Sequence, residues 1–224
     1  ILVYSCVEYL IEYIYTYIME KCVIITAYIE GSIRNIVDTK GAYIICADGG
    51  YSKALAEKIR PSLLMGDFDS LSEELPSDTE VITFPTHKDE TDTELALLHA
   101  LEKGFAKVTI VGGIGGRLDH TIANIQNMVK YRKKGLEIEM ADEQNRIFVL
   151  ENEEINLPAK KGTKLSVFAQ GGTAKGVSIT GTEYPLSDFD LPSDFPLGVS
   201  NEFVSDSATV RVVEGTLLVV ITSE

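Results

Sequence analysis

Leu63-Leu64-Met65-Gly66-Asp67-Phe68-Asp69-Ser70 is the stretch from which the rest of the chain is read. Three apolar residues run into a glycine, the pattern of a buried strand ending in an exit turn. Asp67 and Asp69 follow at the mouth of that strand. In extended backbone they share a face, because side chains alternate with period two. Carboxylates that close repel by roughly 4 kcal/mol at about 4 Å and an effective dielectric near 20. Such a pair is either a solvated acidic turn or the seat of a hard cation. Mg2+ takes one or two carboxylates, waters and substrate phosphate oxygens. The flanking sequence decides between the two.

Upstream, Cys22–Ala27 and Tyr43–Ala47 read as strands, with a short helix between them at Ser32–Val37. Ser52–Ile59 has helical spacing and Pro61 stops it. Downstream, Glu80–Phe84 and Lys107–Val111 are further strands. Thr91 and Glu94 form a capping-box pattern, which starts a helix running to Gly104. A long helix is expected from Leu118 to Lys134, with Leu118, Ile122, Ile125 and Val129 sharing one face. Strands alternating with helices predict a mostly parallel sheet covered on both faces.

Near Leu136 the texture changes to short apolar or alternating strands with many turns, the pattern of an antiparallel sandwich or barrel. Tyr184–Gly198, rich in proline and acid, reads as a long loop. The expected division is 19–137 for the α/β domain and 138–224 for the all-β domain. Residues 1–18 hold five of the ten tyrosines and no Lys or Arg, and read as an extension set apart from both. They lack the basic start and small-residue cleavage site of a signal peptide, and Glu8 and Glu12 argue against a membrane span.

The 224 residues carry a net charge of −14. That disfavours nucleic acid and anionic membrane as partners. Phosphates must then be held locally, by metal, loop amides and a few cations. The three cysteines have neither metal-ligand nor disulfide spacing, which fits a reducing, cytoplasmic setting.

Ligands of open parallel sheets bind beyond the carboxyl ends of the strands. Four polar segments fall at such ends: Asp48-Gly49-Gly50, Gly66-Asp67-Phe68-Asp69, Lys88-Asp89-Glu90-Thr91-Asp92, and the run from Gly112 to His120. Asp92 is either a favourable charge in a first helical turn or a third carboxylate beside Asp67 and Asp69. Thr91 caps its helix or touches phosphate. Gly113, Gly115 and Gly116 permit close backbone approach to an anion, and Arg117 is suited to bidentate phosphate contact. Asp119 and His120 ligate, position or cap. His87 reads as a solvated loop residue and His99 as a structural one.

The ordered set ADGG (47–50), GDFDS (66–70), KDETD (88–92), GGIGGRLDH (112–120) and GVSNE (198–202) resembles the thiamine pyrophosphokinase family. The resemblance spans essentially all of 19–224. It implies an α/β catalytic domain followed by a β-sandwich, in a homodimer with active sites between subunits. It implies pyrophosphoryl transfer from ATP to the hydroxyl of thiamine, giving thiamine diphosphate and AMP. By position, Asp67, Asp69 and Asp92 match the family's Mg2+ carboxylates. Asp48, Gly49, Lys88, Thr91, Gly113, Gly115, Gly116, Arg117 and Asp119 fall around the nucleotide and phosphates. Ser200 and Asn201 match the thiamine pocket. The chain has no Trp, so any aromatic wall against thiamine is Tyr or Phe.

Two other readings compete. A metal-dependent phosphatase would use an Asp nucleophile after an apolar strand, but gives the glycine-Arg-Asp loop and the β-domain no role. A non-catalytic nucleotide or thiamine sensor would keep the fold without turnover. Asp69, Asp89 and Asp119 remain open as a base for the alcohol.

Overall fold

A computed structural model describes residues 21–69, 71, 73–160 and 162–223. The expected extension at 1–18 lies outside the described residues. The chain divides into two compact units at Asn124/Ile125, inside the longest of the described helices.

Among the described residues the first unit contains five parallel strands: β1 (Cys22–Ile25), β2 (Tyr43–Ala47), β3 (Leu63–Gly66), β4 (Glu80–Thr83) and β5 (Lys107–Val111). Their spatial order is β4-β3-β2-β1-β5. β1 and β3 are buried along their whole length, as parallel strands covered on both faces must be. Helices α1 (Ile33–Ile36), α2 (Gly50–Ala56) and α3 (Asp92–Glu102) connect them.

α2 starts two residues before the expected Ser52, hard against β1. A methyl group at Gly50 would lie 2.0 Å from the Ile25 carbonyl oxygen. It also ends early, because Lys58 takes a left-handed φ of 55° and Ile59 N–H returns to Ala54 O at 2.8 Å. α3 forms as the capping pattern predicts, with Glu94 N–H donating to Thr91 Oγ1 at 3.2 Å. Gly104, at φ 83°, terminates it.

Helix α4 (Leu118–Arg132) runs across the division. The apolar face shared by Leu118, Ile122, Ile125 and Val129 is not its most buried one. Leu118 is 71% exposed and Ile122 49%, while Asn124, Asn127, Met128 and Tyr131 are buried. A polar residue can take the inner face because its hydrogen bond is made there. Asn124 Nδ2 donates to Gly113 O at 3.0 Å.

The second unit continues with eight antiparallel strands: β6 (Glu137–Ala141), β7 (Asn145–Glu151), β8 (Glu154–Pro158), β9 (Thr163–Thr180), β10 (Leu186–Leu191), β11 (Gly198–Glu202), β12 (Ser207–Arg211) and β13 (Glu214–Ser223). β9 is long for a region read as short strands, and has two parts, Lys164–Ala169 and Gly176–Thr180. Its first part pairs with β13 and β11, its second with β10 and β12. Gly171 and Gly172, at φ 75° and 144°, lie between those parts. Leu165, Val167, Val177, Ile179, Val210 and Leu217 form its core.

The expected loop 184–198 instead contains β10. Asp188 takes a left-handed φ of 49°, at a register shift between Leu186 and Phe189. Leu191 is then fully buried opposite Ala174. Among the described residues, no helix follows Arg132, and none is long and apolar enough to cross a membrane.

Candidate active site

Asp48 is the centre of the candidate site in the first unit. It leaves β2 in a left-handed conformation, φ 47°, and its N–H donates to Met65 O at 2.7 Å. Gly66 passes directly beneath it: a methyl group there would meet Asp48 Cα at 2.9 Å. Gly66 is therefore the last residue of β3, required by close approach rather than by a turn. Asp48 Oδ1 is buried with no hydrogen-bond partner among the described residues. Burial raises its carboxyl pKa first, and the charges of Asp92, Asp67 and Asp69 add to the rise, against the Gly49 N–H that lowers it. Asp48 thus lies within the field of three further carboxylates.

The acidic pair is not arranged as extended backbone would arrange it. Phe68 takes φ 53°, which breaks the period-two alternation, and Asp69 N–H donates to Asp67 Oδ1 at 3.3 Å. A bulky residue in that region is an outlier of the kind found at functional sites. Asp92 Oδ1 accepts from Lys88 Nζ at 2.6 Å, and that ammonium sits 5.3 Å from the Phe84 ring centroid. Among the described residues no three His, Cys, Asp or Glu side chains form a ready-made metal cluster. The charges of Asp67, Asp69 and Asp92 all act on Asp48.

Gly112, Gly113, Gly115 and Gly116 all have positive φ. Two of their amides are already used inside the protein. Gly113 N–H donates to Tyr28 O at 2.9 Å, and Gly115 N–H to Thr121 Oγ1 at 3.0 Å. Arg117 and Asp119 are exposed and pair with each other, Nη2 to Oδ2 at 2.5 Å and Nε to Oδ1 at 3.2 Å. The pair raises the pKa of Arg117 and lowers that of Asp119. Exposed pairs are weak, so the guanidinium can exchange this partner for an incoming phosphate. Thr91 acts as a helix cap, and Gly49 precedes α2, 3.1 Å being the clearance a methyl group there would have from Ala27 Cβ.

Ser200 and Asn201 belong to the second unit. Asn201 is buried, and its amide clamps a neighbouring segment. Nδ2 donates to Tyr184 O at 2.7 Å and Thr182 Oγ1 at 3.1 Å, while Oδ1 accepts Tyr184 N–H at 3.0 Å. Ser200 is exposed at a left-handed φ of 57°, at the bulge of β11. A cavity of about 170 Å3 lies here, lined by Tyr184, Leu186, Leu197, Val199 and Asn201. Tyr184 is 69% exposed. Sequence reading missed Tyr28, Asn124 and Tyr184, none of which carries a local motif.

The residues 36–140 match the family model "Thiamin pyrophosphokinase, catalytic domain", and 152–217 match "Thiamin pyrophosphokinase, vitamin B1 binding domain". The chain belongs to the thiamine pyrophosphokinase family. The thiamine pyrophosphokinase of Bacillus subtilis (strain 168) is 28% identical over 204 residues, covering 86% of this chain and 95% of that protein. Thiamin pyrophosphokinase 1 of Caenorhabditis elegans is 22% identical over 186 residues, 77% of this chain and 76% of that one. The crystal structure of the Bacillus subtilis thiamine pyrophosphokinase aligns with a TM-score of 0.79 at 28% identity, over 91% of this chain and 99% of that one. The Enterococcus faecalis family protein gives 0.77 at 27%, over 91% and 99%. The catalytic-domain match takes in every acidic and glycine-loop residue above, and the B1-binding match takes in the whole lining of the apolar cavity. Tyr28 precedes both matches.

Proposed function

We propose that the Asp48 edge of the α/β unit is where this thiamine pyrophosphokinase family member works. The activity is ATP-dependent pyrophosphorylation of thiamine, giving thiamine diphosphate and AMP. One observation supports the location above others. Asp48 Oδ1 is buried without a partner, inside the field of three further carboxylates. A site so built favours a cation, and hard oxygen donors on a sheet edge suit Mg2+. Asp67, Asp69 and Asp92 would hold it. Bound there, Mg2+ supplies charge neutralisation for the polyphosphate.

This chain's own residues do the rest. Arg117 leaves Asp119 to meet phosphate oxygens, and Lys88 offsets negative charge beside Asp92. Thr91 fixes the start of α3 and so the position of Asp92. Gly113, Gly115 and Gly116 shape the loop that approaches the phosphates. Transfer of this kind depends on in-line positioning and charge neutralisation more than on covalent help. Ser200 reaches thiamine directly, and Asn201 acts through the Tyr184 segment that it clamps. A cation such as thiamine suits the apolar cavity better than the neighbouring one lined by Lys160 and Lys164.

We place the enzyme as a homodimer in which the 198–202 strand of one chain serves the carboxylate edge of the other. The exposed apolar residues Leu118 and Ile122, and Tyr184, Val199 and Val204, support an assembly that covers them. The buried free thiols Cys22 and Cys46 suit a reducing cytoplasm.

The test is incubation with ATP, MgCl2 and thiamine, followed by quantitation of AMP and thiamine diphosphate. Equal molar yields that require thiamine are expected. Thiamine-independent release of inorganic phosphate would indicate a phosphatase, and binding without turnover a sensor.

A further inference from the structure

We propose that Tyr28 is a positioning residue for ATP: it is the strut that sets the glycine loop 112–116 in its phosphate-receiving shape. The inference rests on the reading of that loop as part of the ATP site.

Tyr28 lies just beyond β1, whose neighbours in the sheet are β2 and β5. Chain connections leave β1 for β2 on one side, and β5 flanks it on the other. Ligand crevices open at such points. The glycine loop leaves β5 at the same edge, and Tyr28 meets both ends of it.

The start of the loop is held by the Tyr28 carbonyl. It accepts the Gly113 N–H at 2.9 Å, and Thr26 Oγ1 stands 3.2 Å from it and 3.0 Å from Val111 O. A methyl group at Gly112 would lie 2.2 Å from that same carbonyl oxygen. The end of the loop is bounded by the ring. A methyl group at Gly115 would come within 3.2 Å of Tyr28 Cε1, and one at Gly116 within 2.7 Å of Cε2. The ring is tethered in turn, since Tyr28 Oη donates to Glu30 Oε1 at 3.0 Å.

Glycine at 112 and 116 is thus required by Tyr28, before any ligand arrives. Arg117 follows Gly116 directly, so the ring also sets where the guanidinium starts. Removing the ring takes away the wall against which Gly115 and Gly116 are packed. The loop then samples other shapes, and ATP must select the right one at a cost in affinity.

The experiment is calorimetric titration of the purified enzyme with a non-hydrolysable ATP analogue and MgCl2, beside steady-state kinetics in both substrates. Tyr28→Ala should weaken analogue binding and raise the ATP KM by about tenfold, with the thiamine KM within about twofold of wild type. Tyr28→Phe keeps the ring and should restore most of the affinity. Gly116→Ala should also weaken the analogue, partly through its positive φ and partly through the ring; in the double variant the ring's share is gone, so the two losses should fall short of multiplying. Tyr28→Leu, which has no ring to reach Gly115 and Gly116, replaces the alanine variant if thermal unfolding shows that it does not fold.

Unchanged analogue affinity in the ring-deleted variant would overturn the proposal. So would losses that multiply, or equal shifts in both KM values. A wild-type enzyme that binds the analogue but makes no thiamine diphosphate would instead count against the functional reading.

Discussion

Gly66 and Asp48 are locked together through their backbones: the space that a side chain would fill at 66 is occupied by Asp48 Cα, 2.9 Å away. The acid at the centre of the candidate site is therefore placed by a neighbour that has no side chain. Gly66→Ala should push Asp48 off its left-handed position. We expect turnover to fall by at least about tenfold, with roughly 1–3 kcal/mol lost in urea unfolding, as for other overpacked sites. Wild-type turnover in this variant would show that the position of Asp48 is immaterial.

Asp48 is expected to trade stability for function. Its folded pKa is raised, so the native state holds a proton more tightly than the unfolded chain does. Stability from this group is present below the unfolded value of about 3.9 and is lost as pH rises through the folded value. At neutral pH, without metal, Asp48→Asn should be more stable than wild type and much less active. Chemical unfolding at pH 4 and pH 7 checks the sign: the gain should shrink at the lower pH.

Shared sites predict complementation. Asp69→Asn should reduce turnover by about two orders of magnitude or more while leaving the fold intact. Asn201→Ala releases the Tyr184 segment and should raise the thiamine KM more than the ATP KM. Mixing the two variants should restore one intact site per mixed dimer, and activity above either parent. Proven subunit exchange without recovery would mean that each site is built within one chain.

His99 predicts an acid-side loss of stability. Its Nε2 is buried without a partner, and its ring stacks on Tyr43 at 6.5 Å. Burial lowers its pKa first and Lys103 adds to this, with Glu80 and Glu102 opposing. The unfolded chain therefore binds the proton first, and stability should fall as pH drops below about 6.5, levelling off beneath the folded value. Comparing unfolding of wild type and His99→Gln between pH 7.5 and 5 tests this. Parallel slopes would remove His99 as the cause.

The parallel layer was legible because its signals are local and redundant. Apolar runs ending at Ala47, Met65 and Val111, the Thr91 cap and the Gly104 stop each specify an element without long-range information. The failures came where a tertiary hydrogen bond overrules hydropathy. The inner face of α4 is chosen by Asn124 reaching Gly113, so Leu118 and Ile122 turn outward. β10 hides behind acids because one left-handed residue, Asp188, restores its pairing. In the site, residue types were readable but their partners were not. Asp67 and Asp69 were expected on one face, and the left-handed Phe68 between them prevents that. The clamping role of Asn201 depends on Tyr184, seventeen residues away.

β13 lies between β7 and β9, pairing with both along most of its length. During synthesis β7 and β9 emerge first, each with an unpaired edge, and wait for Glu214–Ser223 to fill the gap. Such edges are templates for wrong pairing. The parallel strands β1 to β5 need nothing beyond Val111 to complete their ladder, so their order can be set while the ribosome is still working. The β unit can close only after residue 223 has left the exit tunnel. A chaperone that shields nascent strand edges should therefore raise the yield of this protein through its second half, and a stalled chain lacking β13 should be the species that aggregates.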